Sequence, residues 1–212
     1  MKLTRVPLGP LKANGYILCC EDSKRALVID PGAEEAALAE ALEGYTVPTV
    51  VATHGHWDHV SGVPYVQRKF GATLVVHYAE RACLKRWSRE RGLDIKLGDF
   101  VGEGDVIEVG SVRLKVLHMP GHSPGHLVLM EREKRWLFTG DLLLKGGTGG
   151  ANVMGGNPDD FVRSINRLRA LEGDWAIYPG HFEPTTMARE RQQNPYIKFR
   201  VKEAKALDRG AA

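Results

Sequence analysis

The sequence predicts a four-layer α/β sandwich: two mixed sheets face to face, helices on their outer faces, built as a single domain over residues 1–212. Three observations lead there. The order strand-rich, helix, strand, helix occurs twice along the chain. The runs V-P-T-V-V-A-T (47–53) and A-T-L-V-V-H-Y (72–78) are continuously apolar, as strands buried on both faces must be. Polar clusters rich in histidine and aspartate follow four strand-like segments, where loops on a rigid scaffold commonly carry chemistry.

Taken in order, N-G-Y-I-L-C-C (14–20) and R-A-L-V-I-D (25–30) form a hairpin across the polar E-D-S-K, and Pro31-Gly32 stops the second strand. Residues 33–43, rich in alanine, leucine and glutamate, predict a helix that Gly44 ends. The buried strand 47–53 follows, then a helix over 60–70 with Pro64 in its first turn, the strand 72–78, and a charged helix over 79–91. Four glycines make 92–104 a loop. Residues 105–119 alternate around Gly110-Ser111 and predict a hairpin; 127–131 and 135–139 predict another. Six glycines mark 145–157 as a flexible loop. Asn157-Pro158-Asp159-Asp160 is a helix start, with a cap, a proline and acids in the first turn. Phe161, Ile165, Leu168 and Leu171 give that helix an apolar face. A-I-Y-P (176–179) is a short strand, and a last helix starts at Asn194-Pro195, with Lys198, Arg200, Lys202, Glu203 and Lys205 on a solvated face.

Composition narrows the functions. Hydrophobic residues are 43% of the chain, enough for a core without disulfide staples. Twenty-nine basic and 26 acidic residues interleave to a net charge of +3, which gives no basis for nucleic-acid or membrane attraction. The three cysteines form no C-x-x-C pair and fit buried small hydrophobes in a reducing compartment. The N-terminus has no long apolar segment with a small-residue cleavage site, and no run approaches a membrane span. The expectation is a soluble cytoplasmic protein, monomer or homodimer.

The four clusters are T-H-G-H-W-D-H (53–59), H-M-P-G-H-S-P-G-H (118–126), F-T-G-D (138–141) and Y-P-G-H (178–181). In extended backbone, residues two apart point the same way, so His54 and His56 can chelate one ion. Asp58 and His59 follow the turn and can face a second direction. Imidazole and carboxylate suit zinc, iron and manganese. A lone histidine is usually a satisfied polar residue; four such groups in one turn are not. His126 is better suited to support than to ligation, and His118 to structure. Asp30 either orients a ligand histidine or caps a turn. His77 sits in a strand pattern and needs no function, and Trp57 carries no assignment.

H-x-H-x-D-H followed in order by G-H-S-P-G-H, T-G-D and P-G-H resembles the metallo-β-lactamase-fold hydrolases. D-P-G at 30–32, D-H-x-S-G at 58–62, and Thr185-Thr186, Glu190 and Asn194-Pro195 are similar to its glyoxalase II-like branch. The resemblance implies an αββα fold and two divalent metal ions, zinc foremost, with iron or manganese as alternatives. It implies one site of His54, His56 and His122, a second of Asp58, His59 and His181, and Asp141 bridging them. It also implies thioester hydrolysis by a hydroxide held between the ions, with Asp58 as the catalytic residue that orients it and takes its proton. Other readings are hydrolysis of another ester, lactone or phosphoester, or a mononuclear-iron persulfide dioxygenase. Where the family's thioesterases carry Gly-Arg or Gly-Lys after the bridging aspartate, this chain has Gly149-Gly150-Ala151-Asn152. The loop 145–157 is therefore the expected place of substrate selection.

Overall fold

The computed structural model describes residues 1–198. Its first half contains β1 (Lys2–Leu8), β2 (Ala13–Cys20), β3 (Arg25–Ile29), α1 (Ala36–Ala41), β4 (Thr46–Val51), α2 (Trp57–Val60), α3 (Val63–Phe70), β5 (Thr73–Val76), α4 (Arg81–Arg91) and β6 (Asp99–Phe100). The second half contains β7 (Val106–Val109), β8 (Val112–His118), β9 (Leu127–Glu131), β10 (Trp136–Gly140), α5 (Pro158–Arg169), β11 (Ala176–Pro179), β12 (Thr185–Thr186) and α6 (Met187–Gln193). Each half makes one six-stranded sheet whose strands lie side by side in chain order. Both sheets are mixed: β3, β4, β5 and β6 run parallel, as do β10 and β11, while the hairpins are antiparallel.

The two-residue period of the strands sorts their side chains into three apolar layers. Tyr16, Leu18, Leu27, Ile29 and Val51 of the first sheet meet Val112, Leu114, Val116, Leu129 and Phe138 of the second. The alternate residues, Ile17, Cys19, Ala26, Val28 and Val50, face outward onto Leu38, Val63, Val66 and Leu84 of the helices. On the other outer face, Leu117, Val128, Met130 and Leu137 pack on Phe161, Ile165, Leu168 and Met187. Three layers of burial give four layers of structure.

Several boundaries differ from expectation. The first residues form β1, which pairs only with β2 and so tolerates Pro7 at a sheet edge. The helix expected over 33–43 is confined to α1, and β4 stops at Val51, so Thr53 belongs to the loop beyond the strand. The helix expected over 60–70 is two helices. Gly62 separates them, and α2 begins earlier, so that Asp58 and His59 stand on a helical turn. β5 ends at Val76; His77 is not in the strand but caps the 3₁₀ turn Tyr78–Glu80, its Nδ1 accepting from Ala79 N at 3.2 Å. The loop 92–104 contributes the short β6. The start at Asn157 is as expected: its Oδ1 accepts from Asp159 N and Asp160 N.

The helix expected from Asn194-Pro195 lies for the most part outside the described residues, and α6 precedes it. α6 is capped by Thr186, whose Oγ1 accepts from Arg189 N, and it ends at Asn194, which the following proline holds extended. Lys198 N donates to Asn194 O in a single turn; Arg200, Lys202, Glu203 and Lys205 lie outside the described residues. The T-T-x-x-x-E-x-x-x-N-P pattern has a packing reason. Buried Glu190 accepts from Thr185 Oγ1 at 2.6 Å, Gly146 N at 2.8 Å and Asn194 Nδ2 at 2.9 Å. This ties α6 to the loop after β10.

Burial opposes ionisation of Glu190, but those donors and Arg189 hold its pKa below the ordinary carboxylate value. A depressed folded pKa gives stability that is present above the unfolded value, about 4.5, and is lost as pH falls through the folded one. Glu190→Gln should therefore lower the unfolding midpoint at pH 7 and lose less of it than wild type between pH 5 and pH 3. Thermal unfolding of both proteins across that range measures the difference.

Candidate metal centre

The loop beyond β4 leaves the sheet at Ala52, whose N–H still bonds Val75 O, and carries His54 and His56 before α2 presents Asp58 and His59. The loops beyond β8, β10 and β11 bring His122, Asp141 and His181 to the same end of the sandwich. Two backbone bonds weld the halves there: Leu127 N donates to Thr53 O at 2.7 Å, and Asn14 N to Gly180 O at 2.6 Å. Gly180 must lack a side chain, since a Cβ would lie 2.2 Å from Asp141 Oδ1 and 2.7 Å from His59 Cε1.

All seven residues expected from the sequence meet. His54, His56 and His122 each offer one atom to a common point, and so do Asp58, His59 and His181. Asp141 lies between the two groups. Its Oδ1 is 3.5 Å from His59 Nε2, and its Oδ2 is 3.5 Å from His181 Nε2 and 3.7 Å from His122 Nε2. Asp58 Oδ2 stands 3.2 Å from His181 Nε2 and 3.7 Å from His59 Nε2.

The hydrogen bonds around the cluster decide which imidazole nitrogens carry protons. The Thr53 hydroxyl donates to Asp30 Oδ2 at 2.6 Å, so its oxygen accepts from His54 Nδ1 at 3.0 Å. That leaves His54 Nε2 bare. Asp30 Oδ2 also accepts from His59 Nδ1 at 3.1 Å, leaving His59 Nε2 bare. His122 Nδ1 donates to Gly150 O at 2.9 Å, and His56 Nε2 to Met154 O at 3.1 Å. The lone pairs of His122 Nε2 and His56 Nδ1 then face one another at 3.1 Å, an arrangement that only a cation between them makes favourable. His54 Nε2, His59 Nε2 and Asp141 Oδ1 are buried without a hydrogen-bond partner. These orphaned atoms and paired lone pairs fit metal ions.

Electrostatics divide the imidazoles. Burial, then the neighbouring imidazoles, push the His54 pKa well down, and burial takes His122 to about 4, so both rings are neutral at pH 7. Burial also opposes charge on His59, but Asp141 and Asp30 outweigh it and raise its pKa, so its Nε2 favours a cation, a proton or a metal ion alike. Burial opposes ionisation of Asp58 and Asp141, yet the histidines around them keep both well ionised.

The remaining residues take supporting places. His126 Nε2 accepts from Asp141 N at 3.2 Å, which fixes the aspartate's backbone. Asp30 does both things expected of it, bonding His59 and holding the turn through Thr53 N at 2.7 Å. His118 stacks on His77 with centroids 4.0 Å apart and reaches Pro124 O. Trp57 lies under the Arg91 guanidinium at 3.9 Å. The 145–157 loop does more than border the site: through Gly150 O and Met154 O it orients two of the histidines.

Glu80 is the residue that the sequence did not single out. It is fully buried. It accepts from Gly55 N at 2.8 Å, Ser123 Oγ at 2.6 Å and Gly125 N at 2.6 Å, so one carboxylate holds the His54–His56 loop to the His122 loop. Nothing separates it in the sequence from the other charges of R-A-C-L-K-R-W-S-R-E-R; only the fold turns it inward.

The family described as the metallo-beta-lactamase superfamily matches residues 8–181. An uncharacterized protein of Aquifex aeolicus is 37% identical over 202 residues, 90% of this chain and 94% of that one. The probable metallo-hydrolase YqgX of Bacillus subtilis is 31% identical, and the hydroxyacylglutathione hydrolase GloC of Haemophilus influenzae is 30% identical; each alignment covers 93% of this chain and 98% of the relative. Among solved structures, the BLEG-1 B3 metallo-beta-lactamase superposes with a TM-score of 0.83 at 30% identity, over 93% of this chain and all of that one. A di-iron-bound form of TTHA1623 superposes with 0.78 at 30% identity, over 91% and 99%.

Glu80→Ala would strand three buried donors and cost on the order of 3–5 kcal/mol, with a fall in bound metal. Denaturant unfolding and metal analysis of the same preparation test this; a change in neither would mean that the loops hold together without it.

Proposed function

Because the chain belongs to the metallo-beta-lactamase superfamily, we propose that it is a binuclear metal-dependent hydrolase of thioesters, with residues 1–212 acting as one domain. In this reading His54, His56 and His122 hold one ion, Asp58, His59 and His181 the other, and Asp141 bridges them. The observation that carries it is the pair of groups on either side of Asp141, in which hydrogen bonds to the outer nitrogens of His54, His56, His59 and His122 leave their inner nitrogens to face the cluster. Zinc suits these ligands best, with iron and manganese as alternatives; the solved neighbour TTHA1623 in a di-iron-bound form supports iron among them.

Divalent ions bound there would supply Lewis acidity and make water acidic enough to be a nucleophile at neutral pH. The chain's own groups do the rest. Ionised Asp58 accepts the proton of the attacking water on its carboxylate and orients that water. Asp30 and Thr53 keep the protons of His59 and His54 on the nitrogens that face away from the site. No cysteine or serine nucleophile is required, and Cys19, Cys20 and Cys83 are free thiols outside the cluster.

Thioesters are favoured among acyl substrates because a relative aligned over nearly its whole length is named a hydroxyacylglutathione hydrolase. The reading includes a small-molecule substrate and no nucleic-acid or membrane partner. No helix among the described residues is long and apolar enough to cross a membrane. The unpaired cysteines fit a reducing cytoplasm.

Metal analysis of protein purified from its source, joined to a panel of thioesters, lactones and phosphodiesters, tests the proposal. Two metal equivalents and thioester turnover are expected. One iron equivalent with oxygen uptake on a persulfide would replace hydrolysis by oxygenase chemistry. His56→Ala and Asp141→Asn should each lower kcat by at least about 100-fold and reduce metal content together; full turnover by metal-stripped protein would exclude the mechanism.

A further inference from the structure

Phe182, the residue after His181, combines two features that usually exclude each other. Its backbone is left-handed, with φ of 64°. The other non-glycine residues with positive φ among the described residues are Lys12, Lys24, Asp30 and Arg135, all polar. Its side chain is 67% exposed, above every other large exposed hydrophobic described. Left-handed backbone is strained for a bulky side chain, and solvent is a poor place for a phenyl ring. Glycine would serve the backbone better, and a polar residue would serve the surface better.

The strained conformation is held from outside. The carbonyl of Phe182 accepts from Asn14 Nδ2 at 2.7 Å and from Arg5 Nη1 at 3.0 Å, and Arg5 also bonds Glu183 at 2.9 Å. Asn14 further donates to Pro179 O at 2.9 Å. β1 and β2 thus fix the segment on both sides of the ring. The ring centroid lies 6.5 Å from that of His181, with planes inclined by 60°. Strain maintained by surrounding bonds, at a residue that packs on little, belongs to function more readily than to stability.

We propose that Phe182 is a specificity-determining residue, an apolar wall beside His181 that receives the acyl group of the substrate, so that thioesters with apolar acyl groups are the preferred class. Both halves of a thioester meet at the reacting carbon, and an apolar ring suits the acyl half where the thiol half is polar, as it is for the glutathione thioesters of the aligned hydroxyacylglutathione hydrolase. This rests on the hydrolase reading for turnover, but the wall itself is open to a binding measurement that needs no turnover.

The linear carboxylates from acetate to hexanoate are titrated calorimetrically into metal-loaded wild type, Phe182→Leu, Phe182→Ala and Phe182→Gly. Affinity in wild type should rise with chain length, up to about fourfold for each methylene wholly buried. The rise should persist in part in Phe182→Leu and flatten in Phe182→Ala and Phe182→Gly. In a matching series of acyl thioesters with one common thiol, the loss of kcat/KM in the glycine variant should grow with acyl length. Thermal unfolding of Phe182→Gly should match or exceed wild type, because glycine relieves the backbone. An equal slope in wild type and Phe182→Gly, a flat slope in wild type, or early unfolding of Phe182→Gly would each overturn the proposal. A length-dependent slope without turnover of any thioester would overturn the hydrolase reading and leave the wall standing.

Discussion

The carboxylate of Glu80 accepts hydrogen bonds from Gly55 N, Ser123 Oγ and Gly125 N, donors that belong to loops of two different sheets. It is fully buried, so each bond is made where water cannot replace it. The two apolar sheet faces alone would hold the sheets together, since burial is non-directional. They would not hold His54 and His56 at a fixed separation from His122. A charged acceptor shared by both loops supplies the direction that packing lacks. Leu127 N to Thr53 O adds a backbone bond between the same two loops, while Asn14 N to Gly180 O and Gly180 N to Gly140 O fix the segments that carry His181 and Asp141.

Within that frame, proton placement decides the chemistry. Asp30 takes the Thr53 hydroxyl proton and the His59 Nδ1 proton on one oxygen. The threonine oxygen is thereby free to accept from His54. Two carbonyls of the glycine-rich loop do the same for His56 and His122. Four imidazoles are left with their basic nitrogens facing inward, and Asp141 supplies charge between them. The loop after β10 therefore acts directly on two of the clustered histidines.

Much of this was legible in the sequence, for identifiable reasons. Strands such as Val-Leu-Ile runs and alternating hairpins announce themselves because burial on one or two faces dictates their period. The cluster at 54–59 was legible because three histidines and an aspartate crowd into six positions without apolar spacing, whereas His122, Asp141 and His181 joined it through the motif order that the resemblance supplied. Asp30 was legible only as an ambiguity, because a D-P-G turn looks the same whether or not its carboxylate reaches a histidine. Glu80 was illegible: a glutamate in a charged helix has no local mark of burial, and its three donors lie 25, 43 and 45 residues away. α6 was illegible ahead of the Asn-Pro pair at 194, because an extended residue before proline ends a helix as readily as it begins one. At 157 the acids that follow settle it as an opening.

Each sheet keeps its strands in chain order, so each half could close its own ladders using neighbours in sequence. The cluster is different: His54, His56, Asp58 and His59 come from one half and His122, Asp141 and His181 from the other. A ligand seated among them touches both halves at once, and its binding free energy becomes part of what keeps the sheets docked. By mass action, an ion present at a hundred times its dissociation constant contributes about 2.7 kcal/mol to the folded state. Occupancy of the cluster and docking of the two sheets are thus thermodynamically linked, so a measurement of either reports on the other.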